Sequence, residues 1–242
     1  MERITMQTAL ITGGSKGLGL ALAESLVADG WSVVIDGRDR HALDEAVLRL
    51  RRLSAGQAVS GIAGDVADAS HREALVAAVA GGLDLLVNNA SALGPSPQPT
   101  LADHELDEYR RLLDVNVVAP LALSQALLPL LRERHGSLVN VTSDAALEGY
   151  AGWGGYGSSK AALEQLSNVL AAEEPEVHVY WFDPGDMRTE MHQAAFPGED
   201  ISDRPLPETV VPALRRLLST APASGRFRAA EVIAADSLQA QP

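Results

Sequence analysis

Short runs of apolar residues recur along the chain, separated by longer segments in which apolar positions return every three or four residues. A short apolar run bounded by turn residues predicts a buried β-strand, whereas the longer spacing predicts a helix. The predicted strands cover residues 8–11, 32–35, 59–62, 83–87, 137–141 and 177–182. The predicted helices cover a segment beginning near residue 18, then residues 42–53, 71–79, 103–131 with an interruption near 116–120, and 156–173.

This alternation of strand and helix indicates a parallel sheet, because right-handed crossovers place helices on both faces and leave the strands buried. The length of 242 residues suits one such domain, and no repeat or linker divides it. We therefore predict a single α/β domain over residues 1–242, a doubly wound, Rossmann-like parallel sheet with helices on both faces. Ligands of such sheets bind at the carboxyl ends of the strands.

Composition argues against several kinds of partner and site. A formal charge of −13 disfavours nucleic acid, which is bound by clustered Lys and Arg. The chain has no cysteine, which excludes disulfides and thiolate chemistry, and its six histidines show no metal-ligand spacing. No apolar stretch approaches the ~20 residues of a membrane span, and the N-terminus lacks an export-signal pattern. We expect a cytoplasmic protein that binds no metal, nucleic acid or membrane.

A glycine-rich loop follows the first predicted strand and opens the first predicted helix. It reads Thr-Gly-Gly-Ser-Lys-Gly-Leu-Gly over residues 12–19. Free backbone N–H groups and the helix dipole at such a junction favour a pyrophosphate, although a simple tight turn would also explain the glycines. The spacing Gly-x3-Gly-x-Gly differs from the common dinucleotide fingerprint Gly-x-Gly-x-x-Gly.

Four polar residues form a candidate proton-transfer centre. Tyr156 and Lys160 stand four residues apart at a helix start and so share one face, where an ammonium group would lower the phenol pKa from its usual ~10. Ser143 ends a predicted strand, as a substrate-facing hydroxyl would, or it caps the following turn. Asn116 is an amide within an apolar helical stretch and must find partners there.

In their order along the chain, these segments resemble the short-chain dehydrogenase/reductase family, with matching segments as far as Thr189. The matches are the glycine loop, Asp65-Val66, Asn88-Asn89-Ala90, the set Asn116, Ser143, Tyr156 and Lys160, and Pro184-Gly185 with Thr189. The resemblance implies an NAD(P)(H)-dependent oxidoreductase that interconverts a carbonyl and an alcohol on a small-molecule substrate. It also implies a homodimer or homotetramer.

The resemblance implies a role for each matched residue. Tyr156 would exchange the proton, Ser143 would hydrogen-bond the carbonyl oxygen, and Asn116 would hold a water that links Lys160 to solvent. Lys160 would lower the pKa of Tyr156 and bind the nicotinamide ribose. The implied cofactor-binding residues are Gly13, Ser15, Lys16, Gly17, Leu18, Gly19, Arg38, Asp65, Val66, Asn89, Ala90, Tyr156, Lys160, Pro184, Gly185 and Thr189.

The choice between NADP and NAD depends on residues near the second predicted strand. By resemblance, Gly37 takes the position of an acidic residue in NAD-preferring relatives, while Lys16 and Arg38 supply cations suited to the extra phosphate. NADP(H) is therefore favoured. Asp36 leaves NAD(H) open, because a shift of one residue would make its carboxylate a ribose ligand.

The sequence departs from the family pattern at several places. Ser91 replaces the usual glycine after Asn-Asn-Ala, and Asp186 adds a carboxylate after Pro184-Gly185. Near the C-terminus, Gly-Arg-Phe-Arg at residues 225–228 leads only to a polar, Ala-rich tail, which puts the last strand of the sheet in question. The substrate loop is expected at about residues 187–207, and the sequence does not specify the substrate.

Two alternatives remain open from the sequence. A protein of this fold could bind the cofactor as a sensor or structural protein without turnover, although the complete set of four polar residues argues against it. An epimerase or dehydratase of the related longer family would need more chain after the nicotinamide segment to form a substrate domain.

Overall fold

The computed structural model describes residues 6–239, which are built around a sheet of seven parallel strands. The strands are β1 (Thr8–Ile11), β2 (Ser32–Gly37), β3 (Val59–Ala63), β4 (Leu85–Asn88), β5 (Ser137–Val141), β6 (His178–Asp183) and β7 (Gly225–Arg228). Their order across the sheet is β3-β2-β1-β4-β5-β6-β7, and all neighbours pair in parallel. The predicted doubly wound sheet is confirmed. The ends of the predicted domain, residues 1–5 and 240–242, lie outside the described residues.

Helices connect the strands and cover both faces of the sheet. They are α1 (Gly17–Ala28), α2 (Arg40–Leu53), α3 (Ala69–Ala78), α4 (Leu106–Leu113), α5 (Ala119–Arg134), α6 (Gly154–Glu173), α7 (Glu190–Ala195), α8 (Val211–Thr220) and α9 (Ala229–Gln239). The predicted interruption near residues 116–120 is not a break, because a π-helical turn, Asp114–Val118, joins α4 to α5. Pro120 has no N–H to donate within this continuous helix, and the irregular turn directly before it, in which Ala119 N bonds to Asp114 O, lies where the regular bonding pattern cannot continue.

Alternate residues of the central strands enter two separate apolar clusters. Ile11 and Ile35 pack with α1, α2 and α8, whereas Leu10 and Val34 pack with α3, α5 and α6. Because both faces of the sheet are covered, neither face of a strand needs polar residues. The two-sided burial explains why the strands appear in the sequence as nearly continuous apolar runs.

The C-terminal segment forms the last strand of the sheet, whose presence the sequence left in question. Residues 225–228 form β7, which pairs with β6 so that Arg226 lies opposite Trp181 and Phe227 opposite Phe182. The following residues, the polar and Ala-rich tail of the sequence, form α9.

One continuous helical stretch of the described chain, Leu106–Arg134, is long and apolar enough by composition to cross a membrane. Half of its most apolar window is buried in the fold, where Leu123, Leu127 and Leu131 pack in the cluster under the sheet. Core helices pass the same test of length and composition, so this packing accounts for the apolar character of the stretch.

The topology determines where a ligand can bind. β1 pairs with β2 on one side and with β4 on the other, so successive crossovers leave β1 in opposite directions. Such a switch point opens a crevice at the carboxyl ends of the strands.

Candidate active site

A cleft of about 1030 Å³ lies at the carboxyl ends of the central strands. Of the residues predicted to act in catalysis or cofactor binding, all but Gly19 and Asn116 line it. The lining also includes part of the predicted substrate loop, from Met187 to His192 and at Phe196, Leu206 and Pro207. Residues from the glycine loop and from segments almost 200 positions later therefore meet in one cavity.

The glycine loop places its backbone against the end of β4. Gly13 has a φ of +65°, and a Cβ atom there would lie 3.0 Å from the Ala90 Cα. A Cβ atom on Gly19 would lie 2.5 Å from the carbonyl oxygen of Gly13, so Gly19 allows α1 to pack against the loop and does not line the cleft. The Asn89 amide donates to the carbonyls of Thr12 and Gly13 at 2.9 and 3.1 Å, which holds the loop in place.

Asp36 and Gly37, at the end of β2, serve the loop in different ways. The Asp36 carboxylate is 1% exposed; one oxygen accepts from Gly13 N at 2.6 Å and the other lies 2.9 Å from His71 Nε2. Both oxygens of the Asp36 carboxylate therefore bind groups of the protein, Gly13 N and His71 Nε2. This argues against the alternative that Asp36 binds a ribose. A Cβ atom on Gly37 would lie 2.7 Å from Ser15 Oγ, so glycine allows this approach. The next side chain, Arg38, is exposed and lines the cleft.

The segment after β6 reaches across the cleft to the glycine loop. Thr189 caps α7 by accepting from His192 N at 3.1 Å, and its methyl group would contact a Cβ atom placed on Gly17. Next to it, Glu190 forms an ion pair with Lys16. Both members of the pair are more than half exposed, so this contact adds little to stability.

Tyr156 and Lys160 lie on one buried face of α6, one helical turn apart. Tyr156 is 8% exposed and Lys160 only 2%. The Lys160 ammonium donates to the Val141 carbonyl at 2.9 Å and lies 5.5 Å from the centre of the Tyr156 ring. The expected shared face is therefore present, and a positive charge adjoins the phenol.

Burial shifts the pKa values of Tyr156 and Lys160 in the opposite directions to those expected for a phenol beside an ammonium group. Desolvation is the main reason that the pKa of Tyr156 is raised to about 12, and the negative charges of Asp183 and Asp144 raise it further. Hydrogen bonding to the hydroxyls of Ser143 and Ser91 lowers this pKa, but by less than desolvation raises it. Desolvation lowers the pKa of Lys160 to about 8. From the sequence, Lys160 is expected to lower the pKa of the Tyr156 phenol. In the protein without a cofactor, the loss of solvent around the phenol has the larger effect, and the pKa is raised instead.

Ser143 lies directly after β5, facing the same cleft. Its hydroxyl accepts from Ala145 N at 3.2 Å and donates to the Asp144 carboxylate at 3.0 Å. Ser143 therefore caps the following turn, and it also lines the cleft together with Tyr156; that its hydroxyl faces the substrate stays a prediction. To donate to a substrate oxygen, the hydroxyl hydrogen must turn away from Asp144.

Asn116 occupies the π-helical turn and is 1% exposed. Its amide oxygen accepts from Ala92 N at 2.7 Å and Ser91 Oγ at 3.1 Å, and its amide nitrogen donates to Ala92 O at 2.8 Å and Ser159 Oγ at 2.9 Å. These four bonds use the full capacity of a side-chain amide. A water held by Asn116, as the resemblance implies, would therefore have to bind its backbone carbonyl.

An ion network that the sequence did not suggest lies behind Ser143. Arg226 of β7 donates to Glu164 at 3.0 Å, to Asp183 at 3.1 Å and to the Ser143 carbonyl at 3.4 Å. Thr142 also donates to Glu164, at 2.8 Å. The only sequence signal was Asp183 itself, a charged residue at the end of an apolar strand and before Pro184-Gly185.

Aromatic side chains form one wall beside Tyr156. Trp153 meets the Tyr156 ring edge-on at 5.9 Å and the Phe196 ring at 5.8 Å. Leu93, Met191 and Ala195 belong to the same cluster. Among residues 6–239, no group of three or more metal-ligating side chains is found.

A family model described as short chain dehydrogenase matches residues 7–200. The chain is similar to serine 3-dehydrogenase of Agrobacterium fabrum, with 38% identity over 76% of this chain and 73% of the relative. It is also similar to benzil reductase ((S)-benzoin forming) of Saccharomyces cerevisiae, with 34% identity over 76% of this chain and 73% of that protein.

Solved structures show the same relationship. A short chain dehydrogenase of Shigella flexneri 2a, solved in complex with NADP, superposes with a TM-score of 0.85 and 29% identity over 92% of this chain and 96% of that chain. The parallel sheet, the glycine loop at its switch point and the sequence matches agree: the chain belongs to the short-chain dehydrogenase/reductase family of oxidoreductases.

Proposed function

We propose that the protein is an NADP(H)-dependent oxidoreductase that interconverts a carbonyl and an alcohol, with Tyr156 as its proton donor and acceptor. The observation that carries this proposal is the convergence of the Tyr156 phenol, the Ser143 hydroxyl and the glycine loop on one cleft, with Lys160 buried beside the phenol. A structural role alone does not require these groups to meet at one cavity.

The residues around the glycine loop fit a dinucleotide. Gly13 and Gly17 have φ values of +65° and +58°, and α1 begins at Gly17, so its first residues, Gly17 and Leu18, line the cleft. This is the environment that a pyrophosphate prefers. By family resemblance, Asp65 and Val66 would hold the adenine end, and Pro184, Gly185 and Thr189 the nicotinamide end. When bound, the nicotinamide supplies a hydride in reduction or accepts one in oxidation.

The residues of the chain manage the proton and the developing negative charge. In reduction, the Tyr156 phenol gives its proton to the substrate oxygen, and Ser143 donates a hydrogen bond to the same oxygen. Lys160 has a pKa of about 8 and so stays largely protonated at neutral pH, where its charge stabilises the phenolate that remains. In oxidation the same phenolate takes the proton from the alcohol.

The charges near the end of β2 support NADP(H) over NAD(H). Gly37 carries no carboxylate, Asp36 is committed to Gly13 and His71, and Arg38 and Lys16 line the cleft. Cations at this place would bind an added ribose phosphate. The Shigella flexneri relative is itself an NADP complex.

A cofactor titration followed by a substrate panel tests this proposal. We expect NADPH to bind more tightly than NADH, and NADPH to be oxidised in the presence of at least one aldehyde, ketone or quinone. Tighter binding of NADH would overturn the cofactor assignment. Binding of NADPH without oxidation across the panel would instead support a cofactor-binding sensor or structural protein of the same fold.

A further inference from the structure

A buried chain of hydrogen bonds runs from the glycine loop to α3. Gly13 N donates to one oxygen of the Asp36 carboxylate at 2.6 Å, and His71 Nε2 donates to the other oxygen at 2.9 Å. Asp36 is 1% exposed and His71 is 7% exposed. The chain therefore connects the loop after β1 and the end of β2 with the helix that follows β3.

The backbone around His71 fixes the position of its ring. His71 lies in the first turn of α3 and is one of the two buried residues of that helix. A Cβ atom on Gly64, directly after β3, would lie 2.2 Å from His71 Nδ1, so glycine is needed there to make room for the ring. Gly64 N donates to Gly37 O at 3.1 Å, which ties this backbone to β2. The imidazole is thus held against the end of β2.

Asp36 holds the glycine loop at two points. Its carboxylate accepts from Gly13 N, and its backbone carbonyl accepts from Gly14 N at 2.9 Å. A carboxylate so completely removed from water needs hydrogen-bond donors to stay ionised and to keep one orientation. In the described part of the chain, His71 is the side chain that donates to it. His71 therefore determines which way the carboxylate points.

We propose that His71 is a positioning residue for the cofactor, which acts through Asp36 on the pyrophosphate-binding loop. Its Nε2–H group orients the carboxylate so that the other oxygen meets Gly13 N. It also offsets part of the negative charge of a carboxylate that lines the cleft where a pyrophosphate, itself doubly negative, would bind. His71 does not line the cleft, so it contacts neither cofactor nor substrate itself.

The proposal rests on the proposed function, because it needs a dinucleotide at the glycine loop, and His71→Leu tests it. The Kd values for NADPH and for NADH should both increase about tenfold, since a hydrogen bond to a charged group is lost and both cofactors carry the pyrophosphate. At saturating NADPH, kcat should change less than twofold, because the chain of bonds does not reach Tyr156 or Ser143.

Fluorescence titration with each reduced cofactor measures the Kd values. His41→Leu is the matched control, because it makes the same substitution at a histidine whose side chain is 85% exposed and which does not line the cleft. Both Kd values should be unchanged in this control. A loss confined to NADPH would instead place the effect at the added phosphate and overturn the role of His71.

Two further variants separate positioning from a general loss of stability. His71→Gln can place an amide N–H near the position of Nε2 and should bind both cofactors within about threefold of wild type. Asp36→Asn leaves no buried charge, so adding His71→Leu in that background should weaken binding less than about threefold. If His71→Leu does not fold, His71→Asn, whose amide is too short to reach the carboxylate, takes its place in each comparison.

The outcomes distinguish this role from the function itself. Unchanged Kd values in a folded His71→Leu protein would overturn the role of His71, as would an equal loss in the wild-type and Asp36→Asn backgrounds. A wild-type protein that binds neither NADPH nor NADH would instead overturn the proposed function.

Discussion

At the end of β2, three consecutive residues have three different tasks. Asp36 points inward and fixes the glycine loop through Gly13 N, Gly37 permits the close approach of Ser15, and Arg38 points outward into the cleft. The Asp36 carboxylate also borders the cleft, but its two oxygens are engaged by Gly13 N and His71 Nε2 and not directed to a ribose. A difference of one residue therefore separates a structural acid from a cofactor ligand.

Arg38→Gln should weaken NADPH without affecting NADH. Removal of a charged donor from a phosphate costs about 1.5–3 kcal/mol, so KM for NADPH should increase at least tenfold. KM values for both cofactors, measured with the same carbonyl, check this expectation. Arg40→Gln is the control, because Arg40 is exposed at the start of α2 and does not line the cleft. An equal loss for NADH would mean that Arg38 does not contact the added phosphate.

At the scale of elements, β7 connects the C-terminal part of the chain to the site. Arg226 joins the ends of β5 and β6 to α6 through Ser143, Asp183 and Glu164. Asp183 is 2% exposed and Glu164 is 8% exposed, so the two carboxylates depend on the guanidinium for charge compensation.

Arg226→Met should therefore destabilise the fold by about 3–5 kcal/mol, because it leaves two buried carboxylates without their main partner. Urea unfolding measures this as a lower midpoint with an unchanged slope. Arg228→Met provides the comparison: its side chain is 54% exposed and lies 3.5 Å from Asp183, so its loss should cost no more than about 1 kcal/mol. Similar effects for both variants would argue against a central role for the Arg226 network.

The sequence could predict those strands and helices whose own apolar side chains are buried in the core. Strands β1 and β5 have the predicted boundaries because both faces of the sheet are covered by helices. The π-helical turn was predicted as an interruption, since residues 116–120 contain an amide and a proline whose tolerance depends on hydrogen bonds made in three dimensions. β7 has only four residues, two of them arginines, and ion pairs across the sheet do not appear in an apolar pattern.

In the site, too, some features could be predicted from the sequence and others depend on contacts made only in the folded chain. The order of motifs along the chain predicted many of the residues that line the cleft, although Gly19 and Asn116 do not line it. The contacts of Ser91 and Asp183 could not be predicted, because they depend on segments far apart in sequence. The direction of the Tyr156 pKa shift also could not be predicted, because it depends on how completely α6 is buried.

For the molecule as a whole, the buried Lys160 links activity to stability. Burial lowers its pKa from about 10.5 to about 8, so between these values the unfolded chain binds a proton that the folded chain does not. The contribution of Lys160 to the free energy of unfolding therefore becomes more favourable as the pH rises from about 8 to about 10.5. Below pH 8 both states hold the proton and the full cost of burying the charge remains.

Lys160→Met should consequently be more stable than wild type at pH 7, by about 1–2 kcal/mol after the loss of the bond to the Val141 carbonyl is included. The gain should shrink as the pH approaches 10.5, and turnover should be lost. Urea unfolding at several pH values measures the difference. Lys16→Met, at a site where the side chain is 62% exposed, is the control and should change stability by no more than about 0.5 kcal/mol. A Lys160→Met variant that is less stable at pH 7 would show that the charge is compensated in the fold.

The most direct test of the central claim, that Tyr156 exchanges the proton in nicotinamide-dependent carbonyl reduction, is single-turnover oxidation of NADPH by Tyr156→Phe. The variant should bind NADPH as wild type does, yet transfer hydride to any accepted carbonyl about 10²–10⁴-fold more slowly. Tyr109→Phe on α4, outside the cleft, should retain the wild-type rate. A Tyr156→Phe variant that binds NADPH and reduces the carbonyl at the wild-type rate would show that Tyr156 is not the proton donor.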